Sequence, residues 1–334
     1  MGGMRRALAS FLLAVAVLPV AAGPERDAAV VEAVQRGDTA ALRDALAALA
    51  QAESLDAAAE AFAVAVMALP RNRAFRARFD AALAGATAPG GRGPYYLFVC
   101  VPGWLYLSNP ESGADLARPR SVLAAFGYDT RLAQIDENGT VEANAAALAD
   151  ELVQLAASGR RIVLVSTSKA GPETHLALDR LERSGDAAHI VGWVNIGGLI
   201  NGTPRADWWR EWPQRLLATV GFAFLGRSAD SIESMTTGVR RARVAELRLP
   251  RDVLVVNYIG APRAAEVSAR GQDDYAALVA WGPNDGLTLL ADALVPQGVT
   301  VVEPGLDHFF AAPDLDRRIA ALAQAVMGAL EEQR

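Results

Sequence analysis

A serine hydroxyl attacks a carbonyl only when a neighbouring base takes its proton, so the serines, histidines and carboxylates of the chain are the first residues to weigh. The segment Arg161-Ile-Val-Leu-Val-Ser-Thr-Ser-Lys-Ala-Gly171 runs a β-rich apolar stretch into a cluster of small residues. Residues 172–179 beyond it have helical character. Strand, abrupt turn and helix would hold Ser168 at an exposed apex, and a turn that sharp needs small residues two before and two after it. Ser166 and Ala170 fill those places, and Ser166 is a second hydroxyl in the same turn.

The base must come from three histidines. His175 lies seven residues past Ser168 on the expected helix, roughly 10 Å along its axis, beyond hydrogen-bond reach. His189 opens a strand and so belongs to the opposite edge of a parallel sheet. His308 follows the last strand, within Glu303-Pro-Gly-Leu-Asp-His-Phe-Phe310, on the same edge as Ser168. A catalytic imidazole needs a carboxylate to fix its tautomer. Asp285, in Trp281-Gly-Pro-Asn-Asp-Gly-Leu287, is the leading candidate, with Asp307 second and Asp136 third.

The elements that would position these residues alternate between strand and helix, as in parallel α/β folds. Strands are expected at 96–101, 128–135, 162–165, 190–196, 253–259 and 299–302. A helix capped by Thr140 carries Val141, Ala145, Leu148, Leu152 and Leu155 on one face. The last helix, 314–330, carries Leu315, Ile319, Leu322, Val326 and Leu330. Ahead of this region, residues 24–90 are alanine-rich and suggest a small helical module, broken at Gly37-Asp38-Thr39 and again at Pro70. Val34 to Leu42 has the look of one ankyrin repeat, but a single copy cannot form a solenoid. Residues 88–94 form a Gly/Pro-rich linker.

Hydrophobic residues make up 52% and charged residues 21% of the 334, which describes a globular chain. The net charge of −6 and pI near 5.3 speak against a nucleic-acid surface. Arg5 and Arg6 precede a 14-residue apolar run, 7–20, followed by Val20-Ala21-Ala22. That run is short for a membrane span and fits a signal peptide cleaved after Ala22, with an uncleaved N-terminal anchor as the alternative. The expected destination is therefore the periplasm or the exterior, with no membrane span left after cleavage. Cys100 is the only cysteine, so no intrachain disulfide can form, and its place in an apolar strand reads as core.

Taken together, Cys100-Val-Pro-Gly-Trp104, the Ser168 segment, Val194-Asn-Ile-Gly-Gly-Leu-Ile-Asn-Gly-Thr-Pro204, Gly282-Pro-Asn-Asp-Gly-Leu287 and Asp307-His308-Phe309 resemble the α/β-hydrolase superfamily. Secreted bacterial lipases and esterases are the most similar members. The serine–acid–histidine order is also the order of that fold. The resemblance implies a mostly parallel sheet flanked by helices over residues 93–334, with a helical lid at about 202–250. It also implies a Ser168–His308–Asp285 triad cleaving carboxylic esters through an acyl-enzyme, and an oxyanion hole made by the backbone N–H groups of Trp104 and Lys169. Two departures stand out: Ser166 and Ala170 replace the elbow glycines, and Pro102-Gly103 replaces the usual His-Gly.

The insertion holds Trp208, Trp209 and Trp212, half of the six tryptophans, together with Leu216, Leu217, Phe222, Phe224 and Leu225. It reads as a lid or cap lining an apolar pocket, while Arg240-Arg-Ala-Arg243 reads as a solvated helix face. No metal or organic cofactor is expected, because three scattered histidines and one cysteine give no tetrahedral ligand set. The expected ligand is a small ester or lipid-like molecule; the helical module identifies no protein partner. Thioesterase, polyester depolymerase and amidase activities share this chemistry. A hydrolase-fold scaffold with a decayed site is the reading from another class.

Overall fold

Six strands pair in parallel throughout, in the order β2-β1-β3-β4-β5-β6. They are β1 (Tyr96–Val101), β2 (Asp129–Leu132), β3 (Arg161–Thr167), β4 (Ile190–Ile196), β5 (Leu254–Ala261) and β6 (Val299–Pro304). The computed structural model describes residues 23–85, 95–214, 216, 221 and 228–333. The expected signal peptide, the 88–94 linker, Leu217, Phe222, Phe224 and Leu225 lie outside the described residues.

Strands buried on both faces read as continuous apolar runs, which is why five of the six were located closely from sequence. The exception is β2, expected over 128–135 but ending at Leu132. Beyond Ala133 the chain leaves the sheet, and the Gln134 N–H turns to the Glu151 side chain at 2.8 Å. Alternating side chains feed two cores. Phe98, Cys100, Val163 and Val165 meet α4 (Pro70–Gly85), α5 (Ala117–Ala125) and the C-terminal α12 (Leu315–Glu332). Val99, Val101, Ile162 and Leu164 meet α6 (Val141–Ala156) and α7 (Ala170–Ser184). Thr140 caps α6 as its sequence requires, accepting from Ala143 N at 3.1 Å.

The N-terminal module is α1 (Gly23–Arg36), α2 (Thr39–Ala52), α3 (Leu55–Ala68) and α4. Pro70 opens α4 instead of standing between helices, since its missing N–H costs nothing at a first helical position. The first three helices bury Val30, Leu46 and Phe62 against Ile259 and Val302, covering the β5–β6 end of the sheet. The edge itself is closed by side chains. Asn72 Oδ1 accepts from Thr300 N at 2.9 Å, and Arg76 Nη1 donates to Val302 O at 3.0 Å, so outward-facing groups of β6 are satisfied. An open edge strand invites pairing with another chain, and the module removes that opening.

Between β4 and β5 lie α8 (Pro204–Arg210), α9 (Asp230–Glu233) and α10 (Thr237–Val244); α11 (Gln272–Leu278) follows β5. Arg240 and Arg241 depart from the expected solvated face. Arg240 is buried with its guanidinium on Glu142, and Arg241 reaches the buried Asp292 at 2.7 Å. Arg243, on the same helix, is exposed as expected.

Candidate active site

Parallel sheets bind ligands beyond the carboxyl ends of their strands, at the place where successive connections diverge. Here β1 lies between β2 and β3, so the divergence falls between the loops after β1 and β3. Ser168 follows β3 with φ 54°, a left-handed conformation costing an ordinary residue about 1–2 kcal/mol. Its N–H donates to Ile196 O at 3.1 Å, and its carbonyl accepts from Gly171 N at 2.9 Å and Leu199 N at 3.1 Å. The hydroxyl of Ser166 is buried and accepts from Trp193 Nε1 at 2.8 Å, so it is held inside the core. Ala170 is fully buried. A Cβ on Gly171 would come within 2.8 Å of both Asn195 Oδ1 and Gly198 Cα, which extends the small-residue requirement one position further.

His308 stands in the loop after β6. Its Nδ1 is 2.9 Å from Asp285 Oδ2, and its backbone N–H donates to Asp285 O at 2.7 Å. The other oxygen, Asp285 Oδ1, accepts from Leu287 N and Thr288 N, both at 2.8 Å. A carboxylate only accepts, so it places the proton on Nδ1 and leaves a lone pair on Nε2. Nε2 is buried with no hydrogen-bond partner. Ser168 and His308 line one cleft, but no hydrogen bond joins them, in contrast to the approach expected from the sequence; such contacts commonly tighten only when substrate binds. Burial works against a charged His308. The charge and hydrogen bond of Asp285, with Asp307 and Asp274 behind it, outweigh burial and raise the imidazole above its usual 6.5.

The remaining candidates have other duties. Asp307 accepts from Phe309 N and Ser268 N, and Asp136 from Asn138 N, so neither is bonded to His308. His175 is 2% exposed inside α7, 5.7 Å from the Trp193 ring, and burial pushes it down to about 4. His189 precedes β4 at the opposite end of the sheet.

The cleft measures ≈ 590 Å³ and is walled by apolar side chains including Trp104, Leu116, Ile196, Leu287, Phe310 and Leu322. At Gly103 a Cβ would sit 3.4 Å from Ser168 Cβ and 3.3 Å from Thr167 O, so the loop after β1 lies directly against the elbow. Backbone strain concentrates in this cleft. Leu105, Leu116, Ser168 and Phe310 are the non-glycine residues with positive φ among the described residues, and all four line it. Residues kept in costly conformations by their surroundings cluster at functional sites. A larger cleft of ≈ 1060 Å³ beneath the α1–α2 turn borders His175 and Arg241 but contains neither Ser168 nor His308.

No protein-family model matches the chain, and no curated protein matches it. Among solved structures, the metagenomic carboxyl esterase MGS0156 superposes with a TM-score of 0.61 at 24% identity, covering 78% of this chain and 91% of that one. The mature lipase BlEst2 of Bacillus licheniformis gives 0.53 at 23% identity over 66% and 87% of the two chains. The chain has the α/β-hydrolase fold. At these identities the likeness is one of architecture, and the chemistry has to be argued from the site.

On this hydrolase fold the described part of the 202–250 insertion packs beside α6. Trp209 is half-buried against Val141, Leu199 and Ala206, and Trp208 meets it edge-on at 4.8 Å. Trp212 is 83% exposed. The described cleft wall contains none of these three tryptophans; its indole is Trp104. Sequence reasoning also passed over a buried polar cluster beneath the elbow. Lys169 and Glu173 form a salt bridge at 2% side-chain exposure or less, and Asn144 Nδ2 donates to the same Glu173 oxygen at 2.8 Å. Burial raises the Glu173 carboxyl, while Lys169 and Asn144 pull it back. The available signal was a Lys–Glu i,i+4 pair at the start of a helix whose residues 170–179 are all buried except Leu176.

Proposed function

We propose that the protein is an exported serine hydrolase that cleaves carboxylic esters through an acyl-enzyme. The observation that carries this reading is His308, bound to Asp285 through Nδ1, with Nε2 unpartnered in the cleft that also holds Ser168. In this reading Nε2 takes the Ser168 proton as Oγ bonds to the ester carbonyl carbon. The tetrahedral oxyanion is held by the Trp104 and Lys169 N–H groups; Lys169 sits at the N-terminal end of α7, where first-turn N–H groups have no intrahelical acceptor. Collapse returns the proton to the departing alcohol. Water, activated by the same imidazole, then releases the acid and restores Ser168.

The apolar cleft wall favours an acyl chain or other apolar ester group, and a carboxyl esterase and a lipase among the similar folds support the ester class. Export rests on Arg5, Arg6, the apolar run 7–20 and the small-residue site Val20-Ala21-Ala22. The wild-type protein should react with a fluorophosphonate probe and hydrolyse p-nitrophenyl esters, and Ser168→Ala should do neither. Labelling that survives Ser168→Ala would overturn the assignment, and an unlabelled, inactive wild type would favour the scaffold reading.

A further inference from the structure

The two proposed oxyanion donors belong to different loops, Trp104 after β1 and Lys169 after β3. An oxyanion accepts both only if they stay near 3 Å from one point, so something must set their separation. A polar chain, buried from Lys169 through Glu173 to Asn144, runs between the loops on the α6–α7 side of the sheet. It starts at the Lys169 ammonium, which is paired with Glu173 one helical turn on. Asn144, 2% exposed on α6, donates to Glu173 Oε1 at 2.8 Å and to Asp136 O at 2.8 Å, and its Oδ1 accepts from Asp136 N at 3.2 Å. A Cβ on Gly139 would come within 2.4 Å of that Oδ1, so the turn over residues 136–139 closes tightly on the amide.

From this turn the chain continues into the loop after β1. Glu137 O accepts from Leu105 N at 3.3 Å, and its carboxylate accepts from Leu107 N at 2.9 Å, Ser108 N at 2.8 Å and the Ser108 hydroxyl. Tyr106 OH adds a bond to Ile135 O at 3.1 Å. The residue following Trp104 is thereby tied to the residue following Ser168 through Glu137, Asp136, Asn144 and Glu173. Every link from Asp136 to Lys169 is directional, which apolar packing is not. Asn144 also uses donor and acceptor together, so no carboxylate or alkyl side chain reproduces it.

We propose that Asn144 and Glu173 are positioning residues that fix the spacing of the two oxyanion donors by tying the loop after β1 to the nucleophile turn. This rests on the serine-hydrolase reading above. Asn144→Ala, Glu173→Gln and Glu137→Gln should each lower kcat on p-nitrophenyl butyrate roughly 10- to 100-fold, the size expected when a reacting group is misplaced by up to about 1 Å. KM should stay within about twofold. A trifluoromethyl ketone, whose hemiketal oxyanion occupies the hole, should lose affinity in proportion to kcat/KM across the series. Half-buried Glu137 keeps the test decisive if Glu173→Gln does not fold, because its carboxylate lies at the outer end of the chain.

A lower melting temperature with unchanged kcat and unchanged ketone affinity would reduce the network to a structural brace and overturn the proposal. So would a raised KM at constant kcat. Both results presuppose an active wild type. A wild type that neither hydrolyses the ester nor takes a fluorophosphonate would instead remove the hydrolase reading, and this proposal with it.

Discussion

Asp285→Asn isolates the link on which the proposed mechanism depends. The native carboxylate is 0% exposed and accepts from Leu287 N and Thr288 N on one oxygen and from His308 Nδ1 on the other. An asparagine in the same place has one acceptor and one donor end. The oxygen must face the two backbone N–H groups, since the reverse would set an NH2 against two donors and leave both unsatisfied in the interior, at about 1–3 kcal/mol each. The amide NH2 is thereby forced toward His308 Nδ1, which must offer its lone pair. The ring proton moves to Nε2, and Nε2 can no longer take a proton from Ser168.

Fixing this wrong tautomer costs about 10⁴ in kcat where it has been isolated, or about 5.4 kcal/mol at 1.36 kcal/mol per decade. Packing and the Leu287 and Thr288 bonds survive, so the fold should hold. Steady-state hydrolysis of p-nitrophenyl butyrate across pH 5–9 is the assay. In the wild type the acid limb of kcat/KM should lie above 6.5, because the carboxylate overcomes the effect of burial on His308. In Asp285→Asn the carboxylate's charge is gone and burial dominates, so the limb should move to lower pH as the rate falls. Asp307→Asn serves as the comparison, since that carboxylate is bonded to Phe309 N and Ser268 N. Activity of Asp285→Asn within tenfold of wild type, or a larger loss in Asp307→Asn, would refute the reasoning.

Two predictions concern stability. Asn72→Ala should cost about 2 kcal/mol, because it leaves the buried Thr300 N–H without its partner and removes one of the two donors to Val66 O, the other being Leu69 N; urea denaturation should show a lower midpoint with an unchanged slope. His175 should make the protein acid-sensitive. Its folded-state pKa is depressed from 6.5 to about 4, so above 6.5 it is neutral in both states and contributes nothing. As pH falls below 6.5 the unfolded chain binds the proton first, and the folded state should lose roughly 3 kcal/mol by pH 4. Thermal melts of His175→Phe should lack this part of the decline; an identical pH dependence in the variant would place the acid sensitivity elsewhere.

Much of this architecture is legible in the sequence because its causes are local. Parallel strands announce themselves as apolar runs, and Thr140 caps a helix through a residue three positions away. The proposed site residues follow from a different argument: a serine nucleophile demands a base, and His175 and His189 stand at the wrong places on a parallel sheet. What stayed hidden depends on partners far apart in the chain. Asn72 and Arg76 meet Thr300 and Val302 more than two hundred positions later, so no periodicity marks them as a guard for the edge strand. Arg240 looks solvated in its own sequence context because Glu142, the carboxylate that admits it to the interior, lies on another helix. Asn144 likewise passes for one more polar residue in an alanine-rich helix.

The distribution of strain connects these observations. Leu105 and Leu116 follow β1, Ser168 follows β3 and Phe310 follows β6, so loops after three strands each hold an ordinary residue in the left-handed region around one cleft. Each such residue costs about 1–2 kcal/mol and persists only where its neighbours leave no alternative. At Ser168 the constraint is a set of three backbone bonds to β4, the Leu199 loop and α7. At Leu105 it is the Glu137 carbonyl, which the Asn144 amide holds in turn through the Asp136 backbone. The sheet can supply strands in register, but it cannot dictate the conformation of the loops beyond them. That task falls to directional bonds between loops, and this is the physical reason for a buried amide and a buried ion pair in a core where aliphatic side chains would pack as well.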